Sequence, residues 1–477
     1  MCGFIFIRSK KKYSKNKILS ACSTIKHRGP DKTNNLVIKD KHGYEINFTH
    51  FLLDISGKNV VQPIISNQKK NNFTLFNGEI YNYDDKFSSD TNFLQNIFDN
   101  SAIDSLSKLD GEFAIINYDE DKERCIVYVD TFLTKPLFYS LNNNTGEFII
   151  ASYKSAIKKM GFKDISQFKP NTKTEFLINK NKVVFKQSND SCFKFNISQY
   201  KENFLDWENA FIEAVRKRAT HGSIKPFVSL SSGYDSAAIC CALNILNIKY
   251  DTYSFLTNEN HDLIKNRIEI NKTKSCLNSY LVKGINFLEK KYLQSEFFYR
   301  IENFSYSHSD HNQNNVLNLH EDGGSLGSLK IAKIASKKNK VHLSSCGADE
   351  IISDYGMNGK KIYFHSEFAG IFPKDLKKIF PWKKFYGDTQ RSYLFKEEFV
   401  FGSYGIEARY PFLDNKVVQE YLNLTSKLKN SDYKSPISFF LKKHDYPFEK
   451  SKTGFNPRNY LFSNLKKYIK TMINSNS

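Results

Sequence analysis

The second residue of the chain is a cysteine. Removal of the initiator methionine would leave a thiol and a free α-amine on one residue. An α-amine with a pKa near ~8 can take the thiol proton and so create a nucleophile. Gly3 beside it leaves room for a substrate. Much further along, SLSSGYDS (229–236) sets a Ser/Gly turn between a predicted strand and a predicted helix. Backbone N–H groups and hydroxyls gathered at a helix N-terminus suit phosphate oxygens. No Gly-Lys-Ser/Thr follows, so this is not a Walker loop. Each feature alone also has an ordinary reading, as a chain terminus and as a surface turn.

The elements that must hold these residues fall into two halves. The first is rich in short aromatic and β-branched runs separated by polar turns: FIFI, FTHFLL, FTLFNGEIYNY, EFAIINYD, CIVYVD, PLFYS and EFIIAS. This pattern predicts packed antiparallel sheets. A polar stretch at 187–201 marks the boundary. From about residue 202 the period changes: WENAFIEAVRKRAT reads as an amphipathic helix, followed by the strand–turn–helix of PFVSLSSGYDSAAICCALNIL, the strand YDTYSFLT, and a further strand–turn–helix in KVHLSSCGADEIISDY. Strands alternating with helices predict a parallel α/β sheet.

Motif order sharpens the reading. Cys2-Gly3, HRGPD (27–31), FNGEIYNY (76–83), SSDT (88–91), LDGEFAI (109–115) and KPLFY (135–139) follow one another as they do in the class II, N-terminal-nucleophile glutaminase domain of the asparagine synthetase family, which residues 1–190 resemble. Beyond it, SLSSGYDS resembles the SGGxDS pyrophosphate loop of ATP pyrophosphatases. LSSCGADE (343–350), IEARYPFLD (406–414) and EKSKTGF (449–455) resemble three further segments of the same family. The resemblance implies two domains of α/β and α+β class: an αββα glutaminase sandwich over 2–190 and a parallel α/β, ATP-pyrophosphatase-like synthetase domain over 202–477.

The resemblance also implies roles. Cys2 would attack the glutamine side-chain amide, and Asn77 and Gly78 would stabilise the oxyanion. Asn77, Gly78, Glu79 and Asp90 would bind glutamine, the last two at its α-ammonium. Arg28 reads as a structural brace. Leu230, Ser231, Ser232, Gly233, Asp235, Ser236, Ser344, Ser345 and Glu350 would bind ATP and pyrophosphate, and Asp235 and Asp349 would hold Mg²⁺. Lys452 would stabilise charge at the α-phosphate. IEARYPFLD reads as a brace for the second motif. Five departures stand out. The family's arginine for the glutamine α-carboxylate is missing from His50-Phe51-Leu52-Leu53, Leu133 replaces a glycine, Ser232 and Ser345 replace glycines, and Cys346 replaces an acid.

The reaction implied is formation of an acyl-adenylate from ATP and a carboxylate, then amidation by glutamine-derived ammonia. Aspartate is the default acceptor. The alternative is another carboxylate, such as a sugar uronic acid of a surface polysaccharide, and a reading of another class is a non-catalytic basic binding protein on the same scaffold. The net charge of +20 comes from scattered lysines without a nucleic-acid-binding signature, so no nucleic-acid partner is expected. The eight cysteines show no paired CxxC spacing, which argues against zinc and for reduced thiols in a cytoplasm. No apolar run reaches the roughly 18 residues of a membrane span. The expected partners are therefore glutamine, ATP and a carboxylate, with no membrane and with a homodimer allowed by the resemblance.

Overall fold

The computed structural model describes residues 2–55, 60–68, 70–84, 86–100, 102–188, 193–255, 259–310 and 313–449. These form two compact units. One comprises Met1–Phe195, His221–Ser223 and Gly402–Glu407; the other comprises Asn196–Thr220, Ile224–Phe401 and Ala408–Ser477. The main division falls between Phe195 and Asn196. The two short returns from the second half into the first unit carry no periodicity that could announce them.

In the first unit, twelve strands build two sheets. They are β1 (Gly3–Ser9), β2 (Lys32–Lys39), β3 (Glu45–Leu52), β4 (Ile64–Ile65), β5 (Asn72–Ile80), β6 (Gly111–Asp119), β7 (Arg124–Val129), β8 (Phe138–Asn142), β9 (Glu147–Ala151), β10 (Ser166–Gln167), β11 (Lys173–Asn179) and β12 (Lys182–Ser188). One sheet runs β10-β8-β9-β1-β3-β2 and the other β12-β11-β7-β6-β5-β4, and their neighbours pair antiparallel. Strand side chains alternate between faces. Phe4, Phe6, Phe48, Phe148 and Ile150 of the first sheet therefore meet Leu75, Ile116, Val127 and Phe176 of the second in one core. Phe148 stacks on Phe176 across the two sheets at 4.9 Å and 4°. On the outer face of the second sheet, Leu94, Ile97 and Phe98 of helix Asp90–Asp99 pack on Phe76, Ile80, Phe113 and Ile115. Helix Lys15–Ile25 covers β1 with Ala21, Cys22 and Ile25 buried. The layers are helix, sheet, sheet, helix.

In the second unit, Cys276–Val282, Tyr250–Phe255, Pro226–Ser229 and Val341–Leu343 lie side by side in that order, all parallel, with Glu407–Arg409 at the edge beyond. The chain leaves Pro226–Ser229 toward one side of the sheet and later returns on its other side. The switch in strand order thus falls between Pro226–Ser229 and Val341–Leu343. Open parallel sheets bind ligands in the crevice outside the carboxyl ends of the strands at such a switch, and SLSSGYDS and LSSCGADE leave those two strand ends.

The core is dense enough for a single truncation to register. Phe148→Ala should destabilise the sandwich by about 3–5 kcal/mol, and Phe148→Leu by clearly less. Urea titration read by amide-exchange protection of β9 and β11 measures both. Equal protection in wild type and Phe148→Ala would contradict the packing described.

Candidate active sites

The first site is built on the ends of β1 and β5. Cys2 is half-buried, and its Sγ lies 4.0 Å from the Leu53 carbonyl oxygen. Arg28, fully buried, donates from Nε to the Cys2 carbonyl at 3.0 Å and packs on the Tyr153 ring. Arg28 thus braces the backbone of Cys2. Gly3 does something other than expected. A Cβ there would lie 2.4 Å from Ile25 Cγ2, so the missing side chain makes room for the packed helix and not for a substrate. Burial pushes the Cys2 thiol up to about 11; the N-terminal charge and the Leu53 contact oppose this, and Glu407 and Glu79 reinforce it. Such a thiol is neutral near pH 7 and requires a base at the moment of attack.

Asn77 is fully buried, and neither Oδ1 nor Nδ2 of its side chain has a hydrogen-bond partner. A buried amide left in this state is unfavourable by roughly 1–3 kcal/mol. It is what an oxyanion donor waiting for its acceptor requires. Gly78 has φ +130°, and a Cβ there would lie 1.9 Å from the Glu112 carbonyl oxygen, so only glycine fits. Beneath this strand, burial holds His50 down to about 3 despite a hydrogen bond to the Phe76 backbone, so the ring is neutral. Phe51 and Leu52 are buried and apolar.

The next residue of β5, Glu79, meets Asp90. Asp90 sits in the first turn of its helix, where a carboxylate is favoured, and its Oδ atoms accept from Ile80 N at 3.3 Å and Thr91 N at 2.7 Å. Both carboxylates face a residue that sequence reasoning missed: His221 Nε2 is 2.6 Å from Glu79 Oε2 and 3.9 Å from Asp90 Oδ2. Ligand atoms of the three residues lie within 4.8 Å of one another, the spacing of a site for one cation. Nothing local in the sequence around His221 signals this, because the histidine reaches the site through one of the short returns.

The second site lies at the switch point. Ser231 N donates to Ser236 Oγ at 3.1 Å, and Gly233 N to Ser231 Oγ at 3.1 Å. Helix Tyr234–Ile245 starts on Gly233 without a side-chain cap, so its first N–H groups point outward. Arg267, buried, ties the loop down through the carbonyls of Ser231 at 2.5 Å and Gly233 at 3.0 Å. Ser232 N donates to Glu259 at 2.8 Å, so this one N–H of the loop is occupied by a carboxylate.

Asp235 and Asp349 converge, but on a protein cation: Lys434 Nζ is 2.7 Å from both Asp235 oxygens and 2.9 Å from Asp349 Oδ1. Burial works against the Lys434 charge, yet the two aspartates outweigh it and hold the ammonium well above its ordinary value. Lys434 adopts φ +46°, a left-handed backbone at the entry of helix Ser435–Lys443. Lys452 lies outside the described residues. Glu350 is pushed up to about 7 by burial and by the neighbouring Asp349, although Tyr355 OH donates to it. IEARYPFLD braces the second motif as expected: Ser344 N donates to Arg409 O at 2.8 Å, and Leu413 fills the space a Cβ on Gly347 would need.

A cavity of about 340 Å³ opens here, lined by Ser231–Asp235, Cys346, Asp349, Lys434 and several tyrosines. A neighbouring one of about 220 Å³, lined by Leu230, Tyr253, Phe255 and Ile331, shares Ser231, Ser344 and Ser345 with it. Burial, then Glu397 and Glu350, raise the Cys346 thiol well above its ordinary value. Glu397, in the wall of both cavities, has its buried Oε2 3.4 Å from His342 Nδ1, outside hydrogen-bond geometry.

Residues 1–200 match the family model of the glutamine amidotransferase domain. The chain is 25% identical over 450 residues to a provisionally named glutamine-hydrolyzing asparagine synthetase of Methanocaldococcus jannaschii, covering 86% of this chain and 77% of that one. It is 29% identical over 188 residues to a glutamine-hydrolyzing asparagine synthetase, also provisionally named, of Acanthamoeba polyphaga mimivirus, covering 36% of this chain and 33% of the other. Among solved structures, the B. subtilis glutamine phosphoribosylpyrophosphate amidotransferase complexed with ADP and GMP aligns with TM-score 0.32 and 13% identity over 60% of this chain and 82% of that one. The likeness to glutamine amidotransferase domains thus covers the unit that holds Cys2 and Asn77. No helix among the described residues is long and apolar enough to cross a membrane.

Asn77→Ala separates function from stability. It should lower kcat for glutamine hydrolysis by roughly 10²–10³, the usual effect of losing one oxyanion donor. It should leave the unfolding midpoint at or above that of wild type, because no protein hydrogen bond is lost and an unmet buried amide is removed. Unaltered kcat would remove Asn77 from the oxyanion hole.

Proposed function

We propose that the chain catalyses ATP-dependent amidation of a carboxylate with nitrogen from glutamine. The observation that carries this reading is the meeting of Asp235, Asp349 and Lys434 beside a phosphate-type loop at the sheet's switch point. In the first site, Cys2 Sγ attacks the side-chain carbonyl carbon of glutamine while the α-amine of the processed Cys2 accepts the thiol proton. Asn77 Nδ2 and Gly78 N–H hold the oxyanion, and Glu79 and Asp90 hold the α-ammonium. Ammonia leaves, and water releases glutamate from the thioester.

In the second site, the acceptor carboxylate attacks the α-phosphorus of ATP. This forms an acyl-adenylate and expels pyrophosphate; ammonia then displaces AMP to give the amide. The apolar part of the smaller cavity's wall, Leu230, Tyr253, Phe255 and Ile331, suits an adenine, and Ser231, Gly233, Ser344 and Ser345 of the larger cavity would face the phosphates. Asp235 and Asp349 are hard oxygen donors that fit Mg²⁺, which would neutralise the departing pyrophosphate. Lys434, a compact point charge, stands between them, 2% exposed, and would face the same phosphates.

For the acceptor, aspartate leads. Once its side chain is activated it retains an ammonium and a carboxylate, and the cavity offers both an acid, Glu397, and a cation, Lys396. Glu397 thereby supplies the negative charge that Cys346 lacks. A sugar acid is the second reading, favoured by the tyrosines Tyr306, Tyr355, Tyr363 and Tyr393 on the cavity wall. A purely binding role would leave the orphaned amide of Asn77 without purpose.

Three outcomes follow. Cys2→Ala should abolish glutamine hydrolysis and spare synthesis from ammonium salts, whereas equal loss of both would contradict a separate ammonia-supplying site. Asp235→Asn and Asp349→Asn should each collapse ATP–pyrophosphate exchange while glutamine hydrolysis persists; full exchange in both would refute the assignment. Pyrophosphate release with ammonia should be fastest on aspartate among amino and uronic acids. A uronic acid outrunning it would move the acceptor to the sugar class.

A further inference from the structure

Glutamine carries two charges on its α-carbon, an ammonium and a carboxylate. The partners of the two must therefore stand beside each other. Glu79 and Asp90 provide for the ammonium. The strand position from which an arginine would reach the carboxylate holds Leu52, 9% exposed and apolar. The buried cations of this unit nearest in sequence and structure are committed elsewhere. Arg28 grips the Cys2 carbonyl, and Lys135, fully buried, lies 3.7 Å from Glu112.

His221 is also paired, through Nε2 to Glu79, but inside the ammonium pocket itself. Its side chain is 13% exposed, enough for a small ligand to reach it. It touches the two residues of the ammonium pocket, at 2.6 Å from Glu79 and 3.9 Å from Asp90. Tyr81 and Tyr83 meet its ring edge-on, with centroids at 5.3 and 5.7 Å and interplanar angles of 89° and 86°, which fixes the plane of the imidazole. Tyr81 follows Ile80 directly on the strand that carries Asn77, Gly78 and Glu79. The ring is therefore positioned by the same segment that forms the oxyanion hole.

We propose that His221 is the binding residue for the α-carboxylate of glutamine in this chain, taking over the contact that the missing arginine would have made. With glutamine bound, the α-ammonium takes the place of His221 Nε2 on Glu79 and Asp90, and the released imidazole N–H donates to the carboxylate on the same carbon. An imidazole donates from ring N–H groups singly, whereas a guanidinium donates as a fork. Recognition by His221 is accordingly the weaker and less planar kind. The inference rests on the reading of Cys2 and Asn77 as the glutaminase site.

The test compares wild type with His221→Ala and His221→Arg in the full chain, using L-glutamine and its α-carboxamide, glutaminamide, as substrates. His221→Ala should raise KM for glutamine by roughly ten- to a hundredfold, the range for one charge-assisted hydrogen bond, with kcat changed much less. His221→Arg should restore most of the loss. Wild type should prefer glutamine over glutaminamide, and His221→Ala should erase the preference. Ammonia-dependent pyrophosphate release, unchanged in both variants, reports intact folding. Unchanged KM, or a preference for glutamine that survives in His221→Ala, would overturn the proposal while leaving the glutaminase reading standing. Absence of Cys2-dependent hydrolysis in wild type would overturn both.

Discussion

The second unit depends on one interaction: a single buried ammonium, Lys434, between two carboxylates that arrive from different loops. Asp235 comes from the first turn after Pro226–Ser229 and Asp349 from the turn after Val341–Leu343. Two carboxylates brought together away from water repel and are desolvated, and only a cation between them makes the arrangement tolerable. The cation therefore fixes the distance between the two loops, and that distance sets the width of the crevice at the switch point. Arg267 beneath the first loop and the Arg409–Leu413 segment behind the second hold each from its far side. Removing the lysine charge would leave an uncompensated pair of anions in the middle of the site.

The first unit makes the opposite choice at its centre. Instead of satisfying its buried polar group internally, it leaves the Asn77 amide without a partner and locks the next residue into a conformation only glycine adopts. The unmet amide is unfavourable for folding and is explained if a substrate oxygen completes the set, while Gly78 fits because the Glu112 carbonyl leaves no room for a side chain. The sandwich around them, with its continuous aromatic core from Phe6 to Phe176, is rigid enough to hold such a pair open.

Much of this was legible in the sequence. Alternating aromatic runs gave the sheets, the change of period gave the parallel unit, and the strand–turn–helix placement of SLSSGYDS and LSSCGADE located the crevice. What escaped are contacts made by residues whose local sequence says nothing. His221 follows an ordinary amphipathic helix, and its role depends on a return into the first unit. Lys434 sits in a lysine-rich tail, and only its left-handed backbone and burial set it apart. The lysine picked out by motif, Lys452, lies outside the described residues. Gly3 was read as space for a substrate, yet long-range packing against Ile25 claims that space. In each case the deciding neighbour is distant in sequence, which neither periodicity nor spacing encodes.

The central claim is that one chain moves glutamine nitrogen onto a carboxylate that ATP has activated as an adenylate. The most direct measurement follows amide-¹⁵N glutamine in the presence of Mg²⁺, ATP and aspartate. The account predicts ¹⁵N in the new side-chain amide, with one AMP and one pyrophosphate formed for each labelled product. Formation of ADP and phosphate, or an amide product without the label, would contradict it.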